Sequence, residues 1–285
     1  IYGDEQGLTS SAEAYETSGF LHDLTKEDWI YNSPYLSFKF QVYYYSPHPD
    51  DVIYKIIQEP LTGLGSGIIP TLIVVFFIQI LWFFGLHGQI IMNSVMDPIW
   101  NTLALENVAA CNAGKELPHI ISKPFMDTFT VGMGGTGMTL AVVLAILVFV
   151  KSKQMKQVAK LGGLPGVFNV NEPIIFGLPI VMNPLILIPW VLAPMIVTAV
   201  TYFAMSTGLV PPPTGVTVPW TVPIGFSGYL ATNSIAGSIL QLVNFAIVFA
   251  IWLPFLKVID RVNVKKEQEA EAEAEKERKA KEAAE

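Results

Sequence analysis

Cysteine is nearly absent: Cys111 stands alone in 285 residues, which excludes an internal disulfide and a multi-cysteine metal site. Charge is scarce as well. Acidic and basic residues make up 14% of the chain, against about 25% in ordinary soluble domains. They concentrate in residues 1–60 and after Asp260, so the middle runs nearly uncharged. The net charge of -7 arises mainly at the acidic amino-terminal end. No basic patch with interleaved aromatics occurs, so nucleic-acid binding has no support in the sequence. His22, His48 and His119 have no partners at metal or triad spacing, so neither a metal site nor a cofactor is expected. The start lacks the basic-then-apolar pattern of a signal peptide. Ile1 in place of Met makes a fragment or a processed product the expectation.

Long apolar runs fill the middle. A helix needs roughly 20 mostly apolar residues to cross the hydrocarbon of a bilayer. Ile68 to Leu86, Phe125 to Val150 and Ile235 to Leu256 meet that length, and Ile174 to Leu209 does so with Pro179, Pro184, Pro189 and Pro194 inside it. The reading is an all-α membrane protein of polytopic transmembrane helices, some broken by proline. Lysines 151, 153, 156 and 160 and the basic flank at Lys257 and Arg261 both point to the cytoplasm by the positive-inside rule, so the chain between them crosses an even number of times. The Pro- and Gly-rich segment Pro211 to Tyr229 fits a re-entrant hairpin, which persists at depth only where protein or water shields it. Residues 1–48, polar and tyrosine-rich, read as an exposed segment. Residues 51–62 carry apolar positions at helical spacing and suggest a short interfacial helix. The Ala/Glu/Lys/Arg tail from Lys265 predicts a solvated helix or a disordered end.

Ionisable groups at membrane depth are costly and are functional candidates by default. Glu172 stands in Asn169-Val170-Asn171-Glu172-Pro173, where Pro173 suits a helix start and Asn171 or Glu172 suits its cap. It is either a capping acid or an acceptor for ligand hydroxyls. His87 follows an apolar run in Trp82-Phe83-Phe84-Gly85-Leu86-His87-Gly88, either as an interfacial residue or as a partner to Trp82. Sugar sites combine an aromatic face with a few fixed polar groups, and Trp220 is a second platform or an interfacial anchor. Asn183 and Asn233 add uncharged polar groups. Gly132-Met-Gly-Gly-Thr-Gly137 matches G-x-G-x-x-G, yet it lacks the strand and the acid of a dinucleotide site. Helix packing through small residues is the expectation there.

Taken together, Trp82 to Gly88, Phe125 to Leu140 with its Gly-Gly-x-Gly-x-Thr core, Asn171-Glu172-Pro173-Ile174-Ile175-Phe176-Gly177 followed by Asn183-Pro184, and Val218-Pro219-Trp220-Thr221 resemble the EIIC membrane component of the bacterial phosphotransferase system, lactose/cellobiose/diacetylchitobiose branch. The resemblance runs from about Asp51 to Arg261. It implies a sugar permease of the bacterial cell membrane, with residues 49–261 as membrane domain, 262–285 as cytoplasmic tail and 1–48 unmatched. It implies a β-linked disaccharide substrate, membrane lipid as surroundings, and a cytoplasmic EIIB whose phosphocysteine is charged in turn through EIIA. The phosphoryl-donor residue then belongs to a partner, and Cys111 is not it. Residues matching the family's sugar site are Trp82, His87, Asn171, Glu172 and Trp220, with Glu172 and His87 at the hydroxyl that receives the phosphoryl group. Relatives carry about five further helices before this region, forming most of a homodimer contact, and that half is absent here. An ion-coupled secondary transporter, with Glu172 as its cation site, and a truncated, non-transporting remnant are the alternatives.

Overall fold

The computed structural model describes residues 65–178 and 180–282, all of it helix, turn or irregular chain. The interfacial helix expected at 51–62, the segment 1–48 and Pro179 lie outside the described residues. The helices are α1 (Ile68–Phe83), α2 (Gly88–Asn112), α3 (Lys123–Phe125), α4 (Thr139–Phe149), α5 (Lys153–Val167), α6 (Glu172–Gly177), α7 (Pro184–Ser206), α8 (Phe226–Thr232) and α9 (Ile235–Glu282). α9 packs along α7 and α4, α4 lies on α5, and α1 packs against α7 and α2. At the centre the Trp190 and Trp252 rings meet edge to face, 6.5 Å between centroids. The Trp190 Nε1–H donates to the Gln79 carbonyl at 3.1 Å, tying α7 to α1.

One apolar run, Phe125 to Val150, is not the unbroken span expected of it, while the run from Ile174 is broken as its prolines led us to expect. From Phe125 the chain makes a wide π-helical turn (Met126–Val131), then buried turns, before α4 begins. Gly134, Gly135 and Gly137 adopt positive φ there, the region glycine enters without steric cost. A Cβ on Gly137 would lie 2.3 Å from the Trp190 ring. The Gly132–Gly137 run is therefore a close-packed loop and no helix-packing stripe. The second run divides into α6 and α7. Asn183 caps α7 by accepting from the Leu185 N–H, and Pro184 takes the first position, where its missing donor costs nothing. α2 is an element the apolar pattern did not announce, because Asp97, Pro98 and Glu106 interrupt it.

Irregular backbone in an apolar protein needs partners for its N–H and C=O groups. Buried amide side chains supply them. Gln241 of α9 accepts from the N–H groups of Gly225 and Gly228 and donates to the Thr128 carbonyl. Asn107 of α2 donates to the carbonyls of His119 and Pro213 and accepts from the His119 N–H. The segment from Pro211 to Tyr229 is irregular up to α8, as a Pro- and Gly-rich stretch dictates.

The basic flanks meet at one end of the molecule. The Asp260 carboxylate accepts from the N–H groups of Lys151 and Ser152. Glu267 accepts from the Ser152 hydroxyl at 2.6 Å and from the Lys153 and Gln154 N–H groups. The free N–H groups at the start of α5 are thus capped from α9, alongside Ser152 itself, whose Oγ accepts from Met155. α9 passes residue 261 without a break, so the Ala/Glu/Lys/Arg tail is helix as far as Glu282. Among the described residues α7 and α9 are long and apolar enough to cross a bilayer.

Candidate functional site

α5 ends at Phe168, and Asn169 then takes left-handed backbone, φ +65°. Asparagine is a common choice after glycine in that position. The reversal sends the side chain inward. The Asn169 Oδ1 accepts from the Gly134 N–H at 2.6 Å, and its Nδ2 donates to the carbonyls of Trp220 at 2.6 Å and Val222 at 3.2 Å. Two residues on, the Asn171 Nδ2 donates to the Thr136 carbonyl at 2.6 Å. A Cβ on Gly135 would fall 2.5 Å from the Asn171 Cγ, so only glycine lets this loop approach. The glycine loop, the Asn169–Glu172 corner and the Trp220–Val222 segment thereby converge.

Asn171 occupies the cap position of α6, but its side chain makes no capping bond; it is spent on Thr136, which corrects the expected capping role. Glu172 sits in the first turn of α6 with its side chain exposed. Trp220 is 58% exposed, an open aromatic face beside the corner. Among the described residues no hydrogen bond or ion pair engages Glu172.

Trp82 and His87 form a second group. Their rings lie 4.4 Å apart between centroids, and Trp82 is only 4% exposed. Its Nε1–H is buried with no acceptor among the described residues. His87 caps α2, its Nδ1 accepting from the Ile90 N–H at 3.3 Å. An accepting Nδ1 assigns the proton of the neutral ring to Nε2, and that donor has no partner among the described residues. The chain after α6 joins the two groups: the Met182 N–H donates to the Phe83 carbonyl at 3.0 Å. No described contact joins Glu172 directly to His87.

Other expectations resolve simply. Asn233 adopts left-handed backbone between α8 and α9. Cys111 is an exposed free thiol near the end of α2. His119 does have a partner, the Glu106 carboxylate. Asn169 is the site residue that pattern reasoning left without a role. The signal for it was an asparagine placed just after an amphipathic helix.

Comparison with known proteins places these elements. The family described as Phosphotransferase system, EIIC matches residues 50–194. The chain is 72% identical over 225 residues to the PTS system oligo-beta-mannoside-specific EIIC component of Bacillus subtilis (strain 168), covering 79% of this chain and 51% of that protein. It is 46% identical over 221 residues to the PTS system cellobiose-specific EIIC component of Geobacillus stearothermophilus, covering 76% of this chain and 49% of that one. The crystal structure of the transporter ChbC, the IIC component from the N,N'-diacetylchitobiose-specific phosphotransferase system, matches with a TM-score of 0.76 and 45% identity, over 80% of this chain and 53% of that one. The chain spans about half the length of the curated relatives it matches.

Proposed function

The chain belongs to the EIIC family of the phosphotransferase system, and from that premise we propose that it carries the sugar-binding part of a membrane permease for β-linked disaccharides. The observation that carries the reading is the corner at Asn169–Glu172, where an exposed carboxylate stands beside a loop bonded to the backbone of an exposed tryptophan. Trp220 offers a face to the CH side of a sugar ring. Glu172 accepts from ring hydroxyls, and Asn171 holds the corner in place. His87, with Nε2–H free, donates from the neighbouring group beside Trp82.

Phosphorylation is shared with a cytoplasmic EIIB, recharged through EIIA. The sugar hydroxyl oxygen attacks phosphorus, the S–P bond of the EIIB phosphocysteine breaks, and the thiolate leaves. The hydroxyl proton passes to the Glu172 carboxylate, with His87 orienting the oxygen. The protein sits in the bacterial cell membrane as a multi-pass chain. Its carboxyl-terminal tail is cytoplasmic, and a homodimer completes the transporter.

Glu172→Gln removes the acceptor charge while keeping the shape. Uptake of cellobiose driven by phosphoenolpyruvate should fall by at least two orders of magnitude, a range typical of an essential acid–base group. Undiminished uptake would sink the reading. Uptake that ignores phosphoenolpyruvate and collapses with the proton gradient would transfer the site to an ion-coupled carrier. Failure of the purified chain to bind any disaccharide at equilibrium would favour a non-transporting remnant.

A further inference from the structure

We propose that Asn169 is a positioning residue that sets where the Trp220 platform stands relative to Glu172. The inference rests on the reading of Trp220 as a sugar platform. Asn169 is 5% exposed, too enclosed to serve a ligand well, and the hydrogen bonds of its amide run inward. It takes the Gly134 N–H on one side and gives both amide hydrogens to the Trp220 and Val222 carbonyls on the other. Those carbonyls lie more than 50 positions along the chain, in a stretch with no regular structure. The Trp220 ring, 58% exposed, has no ring-stacking partner among the described residues. Its backbone is what holds it, and that backbone hangs on Asn169. Asn169 and Glu172 are three positions apart, so acid and platform are referred to a common point.

The left-handed backbone makes the arrangement specific. At φ +65° glycine, asparagine and aspartate sit most easily, and of the three only asparagine has an amide to offer. Asn169→Asp keeps the acceptor for Gly134 and sets a carboxylate against two carbonyls. Asn169→Gly keeps the backbone and deletes the tie. Comparing the two separates loss of the tie from backbone strain or misfolding.

The test is cellobiose affinity of the purified chain, unsubstituted and as Asn169→Asp, Asn169→Gly, Trp220→Ala and the doubles with Trp220→Ala. Each Asn169 variant should weaken binding about tenfold, on the scale of a lost buried hydrogen-bond pair. Neither should weaken it further once Trp220 is gone. Asn169 variants that bind like the unsubstituted chain while Trp220→Ala binds weakly overturn the proposal. Losses that simply add in the doubles overturn it too, because they mark a general structural role. A sugar-independent readout is ¹⁹F NMR of chain carrying 5-fluorotryptophan, the Trp220 signal being assigned by Trp220→Phe. Asn169→Gly should shift and broaden that signal, and an unmoved signal also overturns the proposal. If the unsubstituted chain ignores cellobiose while the Trp220 signal still responds, the sugar reading fails and the tie from 169 to 220 stands.

Discussion

Gln241 reaches from α9 into backbone that belongs to two other stretches, and it answers three of their polar groups at once. Water is not at hand at such depth, so each group left unanswered costs about 1–3 kcal/mol. Gln241→Leu, similar in volume, should destabilise the protein by about 3 kcal/mol or more. Thermal unfolding in detergent would show it as a clear drop in Tm, and an unchanged Tm would mean the neighbours rearrange to satisfy one another. Asn107 and Asn169 obey the same logic. Such roles are hard to see in a sequence. The partners are backbone atoms far along the chain, and no residue pattern announces a carbonyl. Glu172 and Asn171 were legible because Asn-Glu-Pro before an apolar run is a local signal. The ties from Asn169 to the Trp220 and Val222 carbonyls were not.

Helices declare themselves by what they exclude. α1, and α9 as far as Leu256, were readable because no charged residue interrupts them, whereas the run from Phe125 to Val150 was misread as continuous. Its glycines are apolar by composition, and only their positive φ reveals that they turn the chain. Two alanine substitutions should therefore behave oppositely. Gly137→Ala drives a methyl into the Trp190 ring at φ +78° and should cost several kcal/mol, on the order of 3. Gly163→Ala, inside α5 with its nearest neighbour 3.6 Å away, should stabilise by about 0.5–1 kcal/mol. Unfolding curves of the two variants check both signs.

The start of α5 carries its own pH dependence. The Ser152 hydroxyl and the N–H groups of Gln154 and Lys153 hold the Glu267 carboxyl below the usual carboxylate range. A folded value below the unfolded one stabilises the docked state above the ordinary carboxylate range and is lost as pH falls through the folded value. The Lys153 and Gln154 amide resonances should titrate there, and Glu267→Gln should abolish that titration. Amides that do not move with acid would show that the contact bears no weight.

At the scale of the molecule, the basic flanks are joined by hydrogen bonds, and the proposed topology puts α5 and the far end of α9 together on the cytoplasmic side. Cysteines introduced at Lys156 and Lys276, with Cys111→Ser to remove the native thiol, should react with an impermeant maleimide only after the cells are opened. Labelling of one position in intact cells would break the shared topology that Asp260 and Glu267 imply.

α9 runs 48 residues without interruption, about 72 Å at the helical rise, more than twice the roughly 30 Å thickness of a bilayer's hydrocarbon. The surplus projects into water as a pointer rooted in the packed core. Beyond its last contact with α5, the Lys153–Glu271 ion pair, the arm is about 17 Å long, and a ten-degree swing of its root carries the tip about 3 Å. Small rotations among the apolar helices are magnified where they are easiest to observe, and a spin label near Glu282 would read the motions of the interior from outside.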